Sequence, residues 1–109
     1  MKKGMMAAAA LVGTLASGSA MAGAKIYGLG ATSCGTFISY TKSIQEPYMF
    51  WFNGFATMAS AQSGIDYFEG TDNEGRLLWI RNYCQTHPLD LFNDASVALM
   101  VELHSKQKQ

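Results

Sequence analysis

The feature that most restricts the fold of this chain is its pair of cysteines, Cys34 and Cys84, the only two present. A reactive thiol pair needs C-x-x-C spacing or a setting that lowers the thiol pKa. These two are separated by about 50 residues, a loop whose closure stabilises a fold by roughly 4 kcal/mol in the chain-entropy model. In an exported chain, two such cysteines form a structural disulfide. We therefore expect a Cys34–Cys84 bridge.

Export is indicated by the first part of the chain. Two lysines precede a short apolar run, and small residues ending in Ala-Met-Ala at Ala22 follow it. This order is typical of a signal peptide with its cleavage site. The apolar run is shorter than the about 20 residues that span a bilayer. The sequence predicts a signal peptide over residues 1–22, with cleavage after Ala24 as a second possibility, and a periplasmic product.

Without its signal peptide the chain is small and weakly acidic. Removal of the two N-terminal lysines leaves six basic side chains against eight acidic ones, a formal charge of −2. Because no basic stripe is present, nucleic acid is not an expected partner. The remaining length fits one domain. A core of that size is marginal, so a covalent bridge adds useful stability.

The spacing of apolar residues predicts an all-α fold, a small bundle of about four short helices over residues 32–104. A loose Gly-rich arm over residues 23–31 is expected before the bundle, and a polar tail over residues 105–109 after it. No segment alternates apolar and polar residues as a strand would. In this arrangement the disulfide links the first helix to the third.

The helix boundaries follow from capping and helix-breaking residues. The helices are expected to begin at Thr32 or Ser33, at Glu46-Pro47, at the Thr71-x-x-Glu74 capping box, and at Leu89 or Asp90. The second, third and fourth are expected to end at Ser63-Gly64, at Thr86-His87-Pro88 and at Leu103.

No catalytic or metal-binding pattern is visible in the sequence. His87 and His104 stand alone, and no Cys/His spacing matches a zinc site. A triad could be composed from Ser39, His87 and Asp66, but no local motif supports it. We therefore expect a protein that is not an enzyme and that uses no cofactor and no metal.

Four acidic residues surround the loop between the second and third helices: Asp66, Glu69, Asp72 and Glu74. Acid–base catalysis would need two carboxylates with different environments in a cleft. Calcium binding would need alternating oxygen ligands, which this spacing does not provide. We expect a solvated loop and helix-start carboxylates rather than a catalytic or calcium site.

The aromatic residues exceed what a minimal helical core needs. Some must be core residues, but as a set they indicate a hydrophobic surface for a protein partner. The candidate contacts are Trp51, Phe52, Phe55, Tyr67 and Phe68.

Two segments of the chain resemble the HdeA/HdeB family of acid-stress chaperones. They are Ser33-Cys34-Gly35-Thr36-Phe37-Ile38 and Asn82-Tyr83-Cys84-x-x-His87-Pro88. The resemblance implies a periplasmic holdase that is a homodimer at neutral pH. In acid, protonation of the loop carboxylates would open the interface and expose aromatic side chains to unfolded client proteins. The low charge of this chain departs from that family's pattern.

Other segments resemble the Rap/Tai-type immunity proteins. They are Trp51-x-x-Gly54-Phe55, Ser60-Ala-Gln62 and Leu77-Leu78-Trp79-Ile80-x-x-Tyr83-Cys84 with Pro88 after it. This resemblance implies a specific inhibitor of a secreted peptidoglycan amidase effector, which it would block with the loop over residues 65–70. Both resemblances predict a non-enzymatic, periplasmic, protein-binding domain, and the chaperone interpretation is slightly preferred.

Overall fold

The computed structural model describes residues 24–108 and contains four α-helices in that range. A short 3-10 helix, Gly28–Ala31, is followed by α1 (Cys34–Ser39), α2 (Lys42–Ser63), α3 (Asn73–Thr86) and α4 (Phe92–Gln107). The described residues contain no strand, only one isolated bridge between Ser33 and Leu91. The predicted all-α fold is therefore confirmed. The predicted signal peptide over residues 1–22 lies outside the described residues.

The disulfide joins Cys34 in α1 to Cys84 in α3, as predicted, with the two Cα atoms 4.8 Å apart. Both side chains are fully buried. Helix α1 has only six residues, which is too short for stability on its own. Its first amides are held by the chain before α4, because Cys34 donates to the Asp90 carbonyl at 2.7 Å and Gly35 to the Pro88 carbonyl at 2.9 Å.

Phe92, at the start of α4, is the aromatic centre of the core. Its ring lies 5.0 Å from Phe37 of α1 and 5.2 Å from Tyr48 of α2. Phe37 and Tyr48 are themselves 5.0 Å apart in an edge-to-face contact, a geometry that adds stability beyond burial. The core therefore links three helices through one aromatic cluster, and Leu77 and Ile80 of α3 are buried against it.

Helix α2 begins at Lys42, one turn earlier than predicted, so Pro47 lies within the helix rather than at its start. The extra turn is held by Gln45, which is buried and whose side-chain amide donates to the Phe37 carbonyl at 3.0 Å. The predicted end is correct, because Gly64 follows Ser63 with a positive φ of 76° and terminates the helix.

The starts of the other helices show where capping residues compete. Ser33 caps α1 as predicted, accepting from the Thr36 amide. Thr71 as the cap of α3 is wrong, because Asp72 performs this role and accepts from the Gly75 amide at 2.7 Å. Aspartate and threonine are both good N-caps, so residue type alone could not decide which of the two adjacent residues caps the helix. The Thr71 hydroxyl instead donates to the Phe68 carbonyl.

Helix α4 differs from its prediction at both ends. It begins at Phe92, after a turn over residues 87–90 that packs on α1, and the Asp94 carboxylate accepts from the Leu91 amide at 2.8 Å. It continues to Gln107, through residues predicted to be a polar tail. The Gln107 side chain donates to the carbonyls of Asp66 and Tyr67 at 2.8 and 3.2 Å, which fixes this end of the helix.

The prediction of a loose arm is wrong for Gly28–Ala31, which forms the 3-10 helix. Gly30 is buried against Trp51 of α2, and the Trp51 indole donates to the Tyr27 carbonyl at 3.2 Å. A side chain at residue 30 would overlap the indole ring. Glycine is therefore required there for close approach rather than for flexibility.

Removing the bridge tests how much the fold depends on it. We expect the double variant Cys34→Ala/Cys84→Ala to lose about 4 kcal/mol of unfolding free energy, because the unfolded chain regains the entropy of an open loop. Urea titration followed by circular dichroism measures the loss. The wild type titrated in reductant is the control and should match the variant. A loss below about 1 kcal/mol would contradict the entropic account.

Two glycines, one packed against Trp51 and one exposed on α2, provide a matched pair of Gly→Ala substitutions. Gly30→Ala should cost about 1–3 kcal/mol, because the new methyl group displaces the Trp51 ring from a filled site, and should change tryptophan fluorescence. Gly54→Ala should stabilise by about 1 kcal/mol, because a Cβ at this exposed position in α2 meets no atom within 4 Å. Thermal unfolding of both variants checks the pair, and equal shifts would contradict the packing of the 3-10 helix.

Candidate functional site

An open groove of ≈530 Å³ lies between the C-terminal parts of α2 and α4. The two helices contact each other through Trp51 and Phe52 on one side and Phe92 on the other, and the groove lies further along both. Apolar side chains form most of its lining: Phe55, Met58 and Ala59 from α2, and Val97, Met100 and Val101 from α4.

The groove is open to solvent, and two of its apolar lining residues are largely exposed. Met58 and Val101 are on its α2 and α4 sides, and they are 59% and 64% exposed. Single exposed apolar residues are common on proteins. Two that line the same apolar concavity, however, are a feature of binding sites rather than of an ordinary surface.

The polar lining side chains come from the C-terminal ends of the two helices, which are close together because Gln107 donates to the Asp66 carbonyl just after α2. This polar end contains Gln62 of α2, His104 and Ser105 of α4, and Lys108, which directly follows α4. The His104 ring is in edge contact with Tyr67 at 5.8 Å, and its buried Nδ1 has no hydrogen-bond partner among the described residues. Among residues 24–108, no carboxylate lines the groove, so its fixed charge is the positive charge of Lys108.

Two of the five aromatic residues predicted to contact a partner line this groove, namely Phe55 and Tyr67. Trp51 stacks on Phe55 with ring centres 5.5 Å apart, and Gly30 covers part of its ring. Phe52 as a partner contact is wrong for the folded state, because its side chain is fully buried.

Phe68 is only half-buried, but its ring is in contact with two other side chains. Its ring packs on Phe52 at 5.0 Å, and the Arg76 guanidinium lies 4.1 Å above it. A cation over an aromatic face is stabilising when partly desolvated. Burial lowers the pKa of Arg76, and this effect is larger than the opposing effect of the nearby Asp72 carboxylate, which raises it. Phe68 therefore anchors the loop over residues 65–70 rather than offering itself to a partner.

The groove residues that sequence reasoning missed are Met58, Val97, Met100 and Val101. The residues of α4 that face the core, such as Phe92, Ala95 and Leu99, form one helical stripe. Val97, Met100, Val101 and His104 form a second stripe at the same spacing on a neighbouring face. A helix with two apolar stripes packs on the core with one stripe and has the other for a second contact. The second stripe of α4 was the sequence signal that could have indicated the groove.

The four acidic residues predicted to respond to pH have separate roles in the folded chain. Asp66 accepts from the Phe68 amide at 3.2 Å, and Asp72 caps α3. Glu74 pairs with Lys42 at 2.8 Å across an exposed surface, and this hydrogen bond raises the pKa of Lys42. Glu69 is exposed. Asp72 and Glu74 line one concavity at the start of α3, together with Lys42 and Arg81. The response of the four carboxylates to acid stays a prediction.

The residues of the hypothetical catalytic triad bond to other groups. Ser39 donates to the Thr36 carbonyl, His87 contacts the Tyr83 carbonyl, and Asp66 holds its own loop. Within residues 24–108, no group of three His, Cys, Asp or Glu side chains could hold a metal ion. No helix in that range has both the length and the apolar character to cross a membrane.

A stacked column of rings fastens the turn over residues 87–90 to α3. The Tyr83 ring lies between Trp79 at 5.7 Å and His87 at 4.0 Å. The Tyr83 hydroxyl donates to Asp90 at 2.6 Å. This hydrogen bond is the main cause that raises the pKa of Tyr83 to about 12. Because the same turn holds the start of α1, the column supports the disulfide region rather than the groove.

Comparisons with protein-family models, with curated proteins and with solved structures find no match to this chain. The class of protein therefore rests on the fold and the site. Residues 24–108 form a disulfide-linked domain of four α-helices with an open apolar groove between α2 and α4.

The Tyr83–Asp90 bond gives a pH-dependent prediction. Tyr83→Phe should lose about 1.5–3 kcal/mol at neutral pH, the usual contribution of a hydrogen bond to a charged group. The pKa of Tyr83 in the folded state, about 12, lies above the ordinary value of 10.0. The stabilisation is therefore fully present below pH 10.0 and disappears as the pH rises through about 12.

Urea titrations of the wild type and of Tyr83→Phe at rising pH measure this difference. The control is Tyr27→Phe, a change of a residue that is 78% exposed, which should leave stability unaltered at every pH. A stability difference that stays constant into the alkaline range would contradict the role of the Asp90 bond.

Proposed function

We propose that this protein is an exported, non-enzymatic domain that binds apolar segments of other proteins in the groove between α2 and α4. The observation that carries the proposal is that the groove is open in the folded state and lined by side chains such as Phe55, Met58 and Met100. Methionine is flexible and polarizable, and it is common on surfaces that accept varied partners. Met58, which is 59% exposed in this lining, therefore suits a holdase better than a site for one fixed ligand.

The placement of the disulfide favours an acid-stress holdase of the HdeA/HdeB type within this class. The bridge links α1 to α3, whereas the contacts of α2 and α4 with the other described helices are non-covalent. Acid-driven loosening of α2 and α4 would expose Trp51 and Phe52 while the chain stays cross-linked. The site could thus extend from the groove into the core without complete unfolding.

A second candidate function, a specific inhibitor of a secreted enzyme, is favoured by the loop over residues 65–70. Gln107 donates to two carbonyls of this loop, and Arg76 covers the Phe68 ring. Asp66 and Glu69 are exposed on it. A loop that is anchored before binding loses little entropy on contact, which suits an element that occludes an active site.

Aggregation of an unfolded client protein, followed by light scattering, tests the proposal. At neutral pH we expect the domain over residues 23–109 to suppress aggregation, and Met58→Glu to abolish this effect by placing a charge at the rim of the apolar groove. The matched control is Phe50→Glu, which also replaces an exposed apolar residue of α2, 74% exposed, and should retain suppression. Circular dichroism confirms that both variants are folded.

The same assay at about pH 2–3, where carboxylates are protonated, separates the two candidates. Stronger suppression in acid, with loss of the tryptophan signal of the folded core, is the result expected of an acid-opened holdase. If the domain suppresses aggregation at neither pH, the holdase proposal is wrong. The loop variant Asp66→Lys/Glu69→Lys would then be the first to test against secreted peptidoglycan amidases.

A further inference from the structure

We propose that the segment bound in this groove is an amphipathic helix of about three turns with acidic residues in its first turn, and that an extended peptide does not bind there. This inference rests on the proposed protein-binding function and names the class of partner that the groove accepts.

The first argument concerns the backbone of the bound segment. Both long walls of the groove are α-helices, whose backbone groups are already hydrogen-bonded within each helix. The described residues contain no strand whose edge could pair with a peptide. An extended peptide would therefore lose its hydrogen bonds to water without replacement, which is unfavourable for every buried backbone group. A helix satisfies its own backbone and presents only side chains.

The second argument concerns length. The lining residues of this wall extend from Val97 of α4 to Lys108, directly after that helix. This span corresponds to about 16 Å at the helical rise of about 1.5 Å per residue. A partner helix lying along this wall makes contact over about eleven residues, or three turns, at that same rise. Its apolar side chains would meet the groove at positions i, i+4 and i+7.

The third argument concerns charge. Lys108 lies at the polar end of the groove, and the neighbouring Lys106 is already paired with Glu102 at 3.2 Å. The C-terminal ends of α2 and α4 are both on that side, since Gln107 of α4 donates to the carbonyl of Asp66, just after the end of α2. A bound helix that runs antiparallel to both places its N-terminal turn beside Lys108. Carboxylates in a first turn also stabilise the helix that carries them, so one set of acidic residues serves both requirements.

The probe is a synthetic alanine-rich peptide of about 14 residues, with leucine at i, i+4 and i+7 and glutamate in its first turn. Fluorescence anisotropy measures its affinity, and circular dichroism measures the helix it gains on binding. Two control peptides have the same length. One has its leucines distributed around the helix, and the other has lysine in place of the first-turn glutamates. We expect the first peptide to bind at least about tenfold more tightly than either control.

Two charge reversals at the C-terminal end of α4 form a matched pair of protein variants. Lys108→Glu should lower the affinity for the glutamate peptide about tenfold and raise the affinity for the lysine peptide, because the charge at the polar end of the groove is reversed. Lys106→Glu changes the same residue type two positions earlier, outside the groove lining, and should leave both affinities unchanged. Both side chains are exposed, so neither variant places a charge in the core.

The outcomes separate this inference from the function on which it rests. If the domain suppresses client aggregation but binds the three peptides equally, or if Lys108→Glu does not invert the charge preference, the helix assignment is overturned and the protein-binding function stands. If it neither suppresses aggregation nor binds any peptide, the protein-binding function itself fails. A self-associated form that Met58→Glu dissociates would assign the groove to a second copy and also overturn the inference.

Discussion

The buried link between α1 and α3 is the constraint on which the rest of the structure depends. Cys34 and Cys84 are both fully excluded from solvent, and the six-residue α1 would not persist without an attachment of this kind. The turn over residues 87–90 is held against the same point by two α1 amides and by the Tyr83–Asp90 bond. Because that turn sets where α4 begins, the bridge also determines where Phe92 enters the aromatic core.

The aromatic residues are divided between two purposes by this arrangement. Phe37, Phe52 and Phe92 are fully buried in the core, whereas Phe55 and Tyr67 line the groove. A domain of this size has little volume to spare, so large side chains on two adjoining faces of α2 cannot all be enclosed. The groove is where the surplus apolar surface of α2 meets the second stripe of α4. Its position is thus a consequence of core packing.

Most of the fold could be predicted because it depends on local or covalent features: the two cysteines, the Ser33 cap and Gly64 at the end of α2. The errors arose where neighbouring residues compete for one role, as Thr71 and Asp72 do, or where a distant contact extends a helix, as Gln45 and Gln107 do. The groove could not be predicted in the same way. Its walls become one site only when Phe92 brings α4 alongside α2.

A partner could bind in two ways, in the groove of the folded domain or to core residues exposed when the domain opens. The geometry gives these two events different energetic costs. Occupation of the groove leaves the Phe37–Tyr48–Phe92 cluster intact and requires only that Met58 and its neighbours lose water and side-chain freedom. Exposure of Phe52 requires α2 to leave that cluster, which costs a large share of a total stability of about 5–15 kcal/mol. An opened state is therefore accessible only when conditions such as acid have already reduced that stability. The groove, by contrast, is available whenever the protein is folded.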